Sequence, residues 1–177
     1  YGGSCFPKDV RAIMRPASEN EYEFKILNAV EAVNEDQKSW AVGQVTDHFG
    51  EDLSGKHFGV WGLSFKPKTD DMREAPALTI IPALIERGAT ITAHDPEAMA
   101  EAHHHFGDAI TYVDHPYDAL DRADALLLLT EWQEFRRPNL DVMKERMGGD
   151  VIFDGRNVLP RHSMRDAGFT YIGVGVP

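Results

Sequence analysis

The feature that most constrains the fold is a continuous apolar run at 125–130, Ala-Leu-Leu-Leu-Leu-Thr. A short run without polar alternation is typical of a strand covered on both faces, as in the middle of a parallel sheet. Five further segments have strand character, at 56–62, 89–93, 110–113, 151–154 and, as a last edge strand, 169–173. Segments of helical character separate them, at 76–87, 96–106, 117–122, 139–147 and 164–167. This alternation predicts a doubly wound, mostly parallel, Rossmann-like α/β sheet, and it leaves the strand order open.

A long helix is predicted before the sheet. Ser18 and Glu21 have the spacing of a capping box. Apolar residues then recur at close to helical spacing as far as Val45, and Gly50 is the predicted stop. A helix of about 30 residues would be about 45 Å long, so it needs a partner beyond its own small domain. That partner is either the rest of this chain or a second copy, and periodicity alone leaves both open.

The change of pattern divides the chain into two units. Glu51–Gly55 has the composition of a linker. We therefore expect a helical unit at 1–51 and the sheet domain at 52–177. Pro82, inside the helical segment 76–87, predicts a kink or a boundary there.

The charge of the chain limits its partners. A formal net charge of −11 over 177 residues argues against nucleic acid or an anionic membrane as a general partner. An anionic substrate must therefore be met by a local group of Lys and Arg. The single cysteine excludes an internal disulfide and predicts a reducing compartment, the cytoplasm. No apolar run reaches membrane-spanning length.

The cysteine lies in the segment Gly-Gly-Ser-Cys-Phe-Pro-Lys-Asp, at 2–9. Pro7 suits the first turn of a helix, which we expect to run to Met14. Cys5 would then precede a positive helix end, and Lys8 adds a second positive charge, both of which favour a nucleophilic thiolate. Asp9, one turn on, is placed to orient a water or accept a proton. The alternative is a loop cysteine that acts as a small hydrophobe.

The loop predicted after the first strand, at 63–75, is long, and long loops in compact domains tend to be functional. It carries three cations, Lys66, Lys68 and Arg73, with Phe65 as a stacking face. Such a group of cations suits a phosphate. The alternative is a solvated loop, because three carboxylates nearly cancel this charge, at Asp70, Asp71 and Glu74.

Three further segments carry weaker signals. Arg156, in a Gly turn at the end of a predicted strand, can present a fork of donors to a phosphate. Thr130–Trp132 closes the central strand as a pocket wall. Adjacent His103, His104 and His105 point around a helix, so no metal site is predicted. The glycines of the first strand are too few for a dinucleotide fingerprint.

Two motifs resemble those of the UDP-glucose/GDP-mannose dehydrogenase family: Gly-Gly-Ser-Cys-Phe-Pro-Lys-Asp at 2–9, and Phe-Lys-Pro-Lys-Thr-Asp-Asp-Met-Arg-Glu-Ala-Pro at 65–76. Asp-Gly-Arg-Asn at 154–157 resembles a third. The resemblance covers nearly the whole chain. It implies the end of a central helical domain at 1–51 followed by a UDP-binding domain at 52–177.

The resemblance also implies an activity. Family members oxidise a sugar C6 alcohol to the acid with two NAD; the intermediate aldehyde is trapped on a cysteine, oxidised to a thioester and hydrolysed. By position, Cys5 would be the nucleophile and Asp9 would help activate the water. Lys8 would face the nicotinamide cofactor, and Arg73 would reach toward a cofactor, in the same or another subunit.

Four residues would contact the substrate on this resemblance: Gly2 through its backbone, Phe65 and Lys66 at the nucleotide, and Arg156. Phe6 and the 65–76 loop are closest to the branch that uses UDP-glucose. GDP-mannose and UDP-N-acetylmannosamine dehydrogenases are the alternatives within the family. The long helix would form a homodimer.

Because the chain begins at Tyr1, inside a motif, we expect it to be part of a longer protein whose NAD-binding domain lies outside it. The chain alone is then expected to bind UDP without turning over substrate. Two alternatives from other classes remain: a non-catalytic nucleotide-binding and dimerisation module, and a flavodoxin-like signalling or electron-transfer domain.

Overall fold

A computed structural model describes residues 1–3 and 5–176. Ser4 of the cysteine motif and Pro177 lie outside the described residues. The strands are β1 His57–Trp61, β2 Thr90–His94, β3 Thr111–Tyr112, β4 Ala125–Leu128, β5 Val151–Asp154 and β6 Thr170–Gly173. The helices are α1 Phe6–Glu19, α2 Lys25–Lys38, α3 Trp40–Phe49, α4 Ala77–Glu86, α5 Met99–Phe106, α6 Leu140–Arg146 and α7 Arg161–Asp166. Short 3-10 helices lie at Gly107–Ala109, Pro116–Leu120 and Gln133–Arg136.

The six strands within the described residues form one sheet in the order β3-β2-β1-β4-β5-β6, and every pairing is parallel. The sequence left this order open, and the structure has the doubly wound arrangement that reverses direction between β1 and β4. All four residues of the central β4 are buried, as its unbroken apolar run predicts. β6 is an edge strand, as predicted.

Hydrophobic side chains cover both faces of the sheet. On one face, β1, β4 and β5 pack with α3, α4 and α5 through buried residues such as Val45, Ile81 and Ala102. On the other, Trp61 and Phe135 stack at 5.1 Å between ring centroids, beside Met143 of α6 and other buried residues. The result is the three-layer architecture expected of a doubly wound sheet.

The predicted long helix is only partly present. Ser18 lies inside α1, so the predicted capping box is wrong, and Glu21 sits in the following turn with a positive φ of 59°. α2 begins at Lys25 and ends at Lys38; α3 continues after Ser39. The Ser39 hydroxyl donates to the carbonyl of Asp36 at 3.0 Å, a bond that competes with regular helix and bends it. The expected rod is therefore two shorter helices with a bend.

Other boundaries also differ from expectation. α1 starts at Phe6 and runs past Met14 with Pro16 inside it, and α4 runs through Pro82 without ending. Residues 117–122 belong largely to a 3-10 helix. The predicted linker is anchored, because Leu53 is fully buried and its N–H bonds to the carbonyl of Arg87 at 2.8 Å.

α2 is unlike the helices beside the sheet. Its only buried residue is Lys38, and its apolar side chains Ile26, Val30 and Val33 are exposed. The periodic apolar pattern read from the sequence is real, yet the described residues of this chain do not cover it. Within those residues, no helix has the length and apolar content needed to cross a lipid bilayer.

Candidate functional site

A cleft of about 110 Å³ lies between the carboxyl ends of the central strands and the bend of α2 and α3. The loops after β1, β4 and β5 contribute Phe65, Leu129 and Arg156 to its wall. Lys38 and Trp40 line the opposite side. Ligands of doubly wound sheets bind beyond the carboxyl ends of strands, where the order reverses, and the gap between β1 and β4 is that place here.

Arg156 joins two of these loops. Its Nε donates to the carbonyl of Leu129 at 2.9 Å, and its Nη2 donates to the carbonyl of Phe65 at 3.3 Å. The backbone N–H of Arg156 bonds to Asp154 at 3.0 Å. Glu131 Oε2 lies 3.4 Å from Nε and forms an ion pair with it. Arg156 is thus fixed on the same side of the domain as residue 66.

The loop after β1 is also in contact with the loop after β4. Gly62 has a φ of +91°, and a Cβ at this position would lie 2.5 Å from the Thr130 side chain. The Thr130 hydroxyl donates to the carbonyl of Ser64 at 2.5 Å. Only glycine allows β1 to end this close to its neighbour, so the two loops are held together by backbone fit as well as by hydrogen bonds.

Phe65 supports the segment that leads to the cysteine. A Cβ on Gly2 would lie 2.6 Å from the Phe65 ring, and one on Gly3 would lie 2.7 Å from it. Gly3 also has a φ of +78°. The backbone of this Gly-Gly pair therefore rests directly on the ring, and the nucleotide-side loop and the cysteine segment are in contact. The sequence suggested Phe65 as a stacking face, and the surface that its ring covers is this glycine pair.

The predicted cations of the loop differ in their partners. The ammonium groups of Lys66 and Lys68 make no hydrogen bond or ion pair within the part of the chain that the structure describes, and both side chains are exposed. Arg73 forms a two-pronged pair with Asp71, with Nε–Oδ1 at 2.9 Å and Nη2–Oδ2 at 3.0 Å. The hydrogen bonds to Asp71 raise the pKa of Arg73.

The cysteine segment has the helix-entry geometry that the sequence predicts. Cys5 is exposed and occupies the N-cap position of α1, with Pro7 in the first turn. The carbonyl of Cys5 accepts a hydrogen bond from the N–H of Asp9 at 2.9 Å. Lys8 and Asp9 pair with each other at 3.6 Å, and both side chains are exposed. The thiol therefore faces solvent at the positive end of a 14-residue helix.

Glu74 is a site residue that sequence reasoning treated only as a neutralising charge. Its Oε1 accepts from Arg11 of α1 at 2.8 Å, and its Oε2 accepts from Lys38 of α2 at 2.6 Å. These bonds, the one to Arg11 first, lower the pKa of Glu74 to about 2. Burial opposes the charge of Lys38, but its bonds to Glu35 and Glu74 outweigh this and raise its pKa. Glu74 thus connects the loop after β1 to both outer helices.

Asp95, after β2, is a second residue that the sequence did not single out. Its carboxylate is fully buried and accepts hydrogen bonds from the loops after β1 and β4. A lone Asp before a Pro gives no sign of this, because the partners in those two loops lie more than 30 residues away along the chain. No group of metal-ligating side chains capable of holding an ion occurs among residues 1–3 and 5–176.

Two domains of one known family match the chain. The UDP-glucose/GDP-mannose dehydrogenase family, UDP binding domain, matches residues 59–161. The central domain of the same family matches residues 1–36. Residues 37–58 lie between the two matches and belong to neither, so a boundary at 51/52 stays a prediction.

Individual relatives agree. A UDP-glucose 6-dehydrogenase of Pseudomonas aeruginosa is 43% identical over 182 residues, which cover 100% of this chain and 40% of that protein. One of Rhizobium meliloti is 37% identical, with 100% and 40% covered. The chain therefore spans about 40% of the length of these relatives.

A solved structure of a UDP-glucose dehydrogenase from the hyperthermophilic archaeon Pyrobaculum islandicum is 38% identical with a TM-score of 0.85, and the match covers 100% of this chain and 38% of that one. The GDP-mannose dehydrogenase of Pseudomonas aeruginosa shares the fold, with a TM-score of 0.70 at 24% identity over 99% of this chain and 40% of that one. The matched residues include the loops that build the cleft. The chain belongs to the UDP-glucose/GDP-mannose dehydrogenase family.

Proposed function

We propose that the chain is the UDP-binding and thiol-bearing part of a UDP-glucose 6-dehydrogenase, which oxidises the C6 alcohol of UDP-glucose to the carboxylate of UDP-glucuronate with two NAD as hydride acceptors and water. One observation carries the proposal. Arg156 and Phe65 line one cleft at the switch point of the sheet, Lys66 follows Phe65 in the chain, and the Gly2–Gly3 backbone lies against the Phe65 ring. This contact supports a nucleotide-binding loop that adjoins the segment leading to Cys5.

The diphosphate in this proposal is held by side chains. The net charge of −11 repels an anion at long range, so local cations must attract it. Lys66 and Lys68 offer ammonium groups that are exposed and carry no carboxylate partner among the described contacts. Arg156 keeps Nη1 outside its hydrogen bonds to the two carbonyls. Together these groups supply donors for phosphate oxygens and for a ring edge.

The covalent chemistry is assigned to Cys5. Its sulfur adds to the carbonyl carbon of the C6 aldehyde: a C–S bond forms, the C=O π bond opens, and the oxygen takes a proton to give a thiohemiacetal. Oxidation of this adduct to the thioester, with loss of the hydroxyl proton, would use the second NAD as the hydride acceptor. Asp9 is proposed to orient the water that later hydrolyses the thioester. Its pairing with Lys8 at 3.6 Å keeps its carboxylate next to a cation, and Lys8 is proposed to face the nicotinamide.

NAD does not fit the switch point of this sheet. Dinucleotide folds hold the pyrophosphate on backbone N–H groups after the first strand. Here the N–H groups of Leu63 and Ser64 already donate to Asp95, at 2.7 and 3.0 Å. We therefore assign NAD to a site outside the six-stranded sheet, approached by Lys8 and by Arg73 of the same or a neighbouring subunit, and we derive no step through it.

The exposed apolar face of α2 is proposed to be the contact between two copies of the chain. Ile26 and Val33 are 79% and 66% exposed and lie on one side of the helix with Val30. Contiguous apolar faces of this kind are typical of interfaces between proteins. The cytoplasm remains the predicted compartment, on the basis of the single reduced cysteine.

Calorimetric titration of the purified chain tests the proposal. We expect UDP and UDP-glucose to bind, GDP-mannose to bind more weakly, and Arg156→Lys to weaken UDP binding about tenfold, because lysine cannot bond both carbonyls and a phosphate. Exposed Arg137→Lys is the matched control and should change affinity by less than about twofold. No NAD reduction is expected from the chain alone. Equal UDP affinity in Arg156→Lys and Arg137→Lys, or no binding of UDP at millimolar concentration, would contradict the proposal.

A further inference from the structure

The Asp95 carboxylate is a buried charge that the proposed chemistry does not use. Its Oδ2 accepts four hydrogen bonds: from the N–H of Leu63 at 2.7 Å, the N–H of Ser64 at 3.0 Å, the Ser64 hydroxyl at 3.2 Å and Trp132 Nε1 at 3.1 Å. None of the ion pairs among the described residues includes Asp95. Hydrogen bonds alone therefore stabilise its charge, and each is of the strong, charge-assisted type.

The second oxygen of Asp95 also accepts hydrogen bonds from the protein. Oδ1 accepts from the N–H groups of Glu97 at 2.9 Å and Ala98 at 2.8 Å, just before α5. The side chain is 0% exposed, and both of its oxygens already accept hydrogen bonds from the protein, so it does not contact a ligand itself. Removing or replacing one oxygen would leave several buried donors unsatisfied, which is costly.

The position of Asp95 gives these bonds a functional meaning. It directly follows β2, where dinucleotide-binding sheets place the acid that binds the ribose, next to the N–H groups after β1 that bind the pyrophosphate. In this chain the Asp95 carboxylate points inward and accepts the hydrogen bonds of those N–H groups. A protein anion thus occupies the cradle on the β1–β2 side that a ligand anion would otherwise use.

We propose that Asp95 is a positioning residue that sets where the nucleotide binds: it closes the β1–β2 side of the switch point to a diphosphate, and it fixes the loops after β1 and β4 so that Arg156 lines the cleft and Lys66 lies in the loop beside it. This rests on the proposed function, because it presumes that the cleft takes UDP.

The contacts from Asp95 to the cleft are continuous. Asp95 fixes Ser64, whose carbonyl also accepts from the Thr130 hydroxyl. The carbonyl of the next residue, Phe65, accepts from Arg156. Lys66 follows directly. A shift of the Ser64 backbone would therefore move both proposed cations relative to each other, without any change in their own side chains.

The test combines UDP titration with hydrogen exchange at the amides of Leu63 and Ser64 in the full chain. Asp95→Asn removes the charge and places an amide NH₂ against at least two N–H donors in either orientation, so it should weaken UDP binding about tenfold and reduce the protection of the Leu63 and Ser64 amides. The matched control is Asp124→Asn, whose carboxylate bonds the N–H of His57 at 2.8 Å at the opposite end of β1. Because Asp124 is 30% exposed, Asp124→Asn should keep UDP affinity within about twofold and lower the melting temperature less than Asp95→Asn does.

Trp132→Phe removes only one of the donors to Asp95, and it replaces Asp95→Asn in the test if that variant fails to fold. We expect it to weaken UDP binding about threefold and to reduce the exchange protection of the Leu63 and Ser64 amides. Affinity and protection unchanged in Trp132→Phe, or an equal loss of affinity in Asp124→Asn and Asp95→Asn, would overturn the role of Asp95. A wild-type chain that does not bind UDP would instead overturn the proposed function. In that case the exchange rates at Leu63 and Ser64 still decide whether Asp95 holds the loop.

Discussion

Glu74→Gln should separate the outer helices from the loop that follows β1. The carboxylate bonds Arg11 on one oxygen and Lys38 on the other, at 2.8 and 2.6 Å. Glutamine keeps the shape of the side chain and one acceptor, but it loses the charge and turns a donor toward one of the two cations. Lys38 is only 9% exposed, so it would keep Glu35 as its remaining counter-charge in a poorly hydrated place.

The magnitude follows from the pKa of Glu74. In the folded chain its pKa is about 2, against an ordinary value of 4.5. At about 1.4 kcal/mol for each pH unit, this difference corresponds to about 3 kcal/mol. Arg11 is 47% exposed and solvent weakens its share. We therefore expect Glu74→Gln to lower the free energy of unfolding at pH 7 by about 2 kcal/mol, or the melting temperature by about 4 to 8 °C.

The sign of the pH dependence is fixed by the same values. Because the folded pKa of Glu74 lies below the unfolded one, its contribution is fully present above about pH 5 and is lost as the pH falls from there through about 2. Urea denaturation of the wild type and Glu74→Gln at pH 7, 5, 4 and 3 measures this directly. The difference between the two should shrink steadily toward low pH.

Glu51→Gln is the matched control for that series. Glu51 is 80% exposed and pairs with Arg87 at 3.3 Å, so its replacement should change the free energy of unfolding by less than about 0.5 kcal/mol at every pH. If Glu74→Gln behaves like this control, or if its effect is as large at pH 3 as at pH 7, then the charge of Glu74 does not hold the helices to the loop.

Three further predictions concern the cysteine segment and the helices. Gly3→Ala should lower the free energy of unfolding in urea titrations by at least about 1 kcal/mol more than Gly50→Ala does. Both glycines have a positive φ, but only Gly3 has the Phe65 ring against it. Equal losses would exclude that packing. Val33→Glu should convert a dimer of the chain to a monomer in sedimentation experiments while leaving the sheet folded. A wild-type chain that is monomeric at high concentration would contradict the proposed interface. Cys5 should be alkylated by iodoacetamide faster than a free model thiol near neutral pH, because it lies at the start of α1, and a slower rate would favour a non-catalytic module.

Much of the sheet domain could be predicted from the sequence because its signals are local. The apolar run of β4 and the strand β5, at 151–154, follow directly from hydrophobic patterning. The strand order could not be predicted, since it depends on pairings between segments such as β1 and β4 that lie far apart in the chain.

The helical unit shows where local signals fail. Ser18 and Glu21 satisfy a capping pattern, yet the chain continues in α1 past Ser18 and turns at Glu21, which adopts a positive φ. Glu74 and Asp95 were missed for a different reason. A carboxylate reveals a connecting role only through its partners, and these lie 63 residues away for Arg11 and 37 for Trp132. The sequence suggested Phe65 as a stacking face but not its contact with Gly2 and Gly3, because nothing local indicates a ring beneath a glycine pair.

The bend at Ser39 has a mechanical consequence. α3 packs against the sheet, whereas α2 is a 14-residue helix, about 21 Å long, that extends away from the sheet from its last residue, Lys38. A rotation of only 10° at the joint would displace its far tip, at Lys25, by about 4 Å, which is nearly the width of a side chain. In the proposed dimer, the α2 helices of the two copies can pack in register only if this bend is rigid. The hydrogen bond between Glu74 and Lys38, beside the bend, would therefore govern how well the end of α2 some 20 Å away matches a second copy in that proposed dimer.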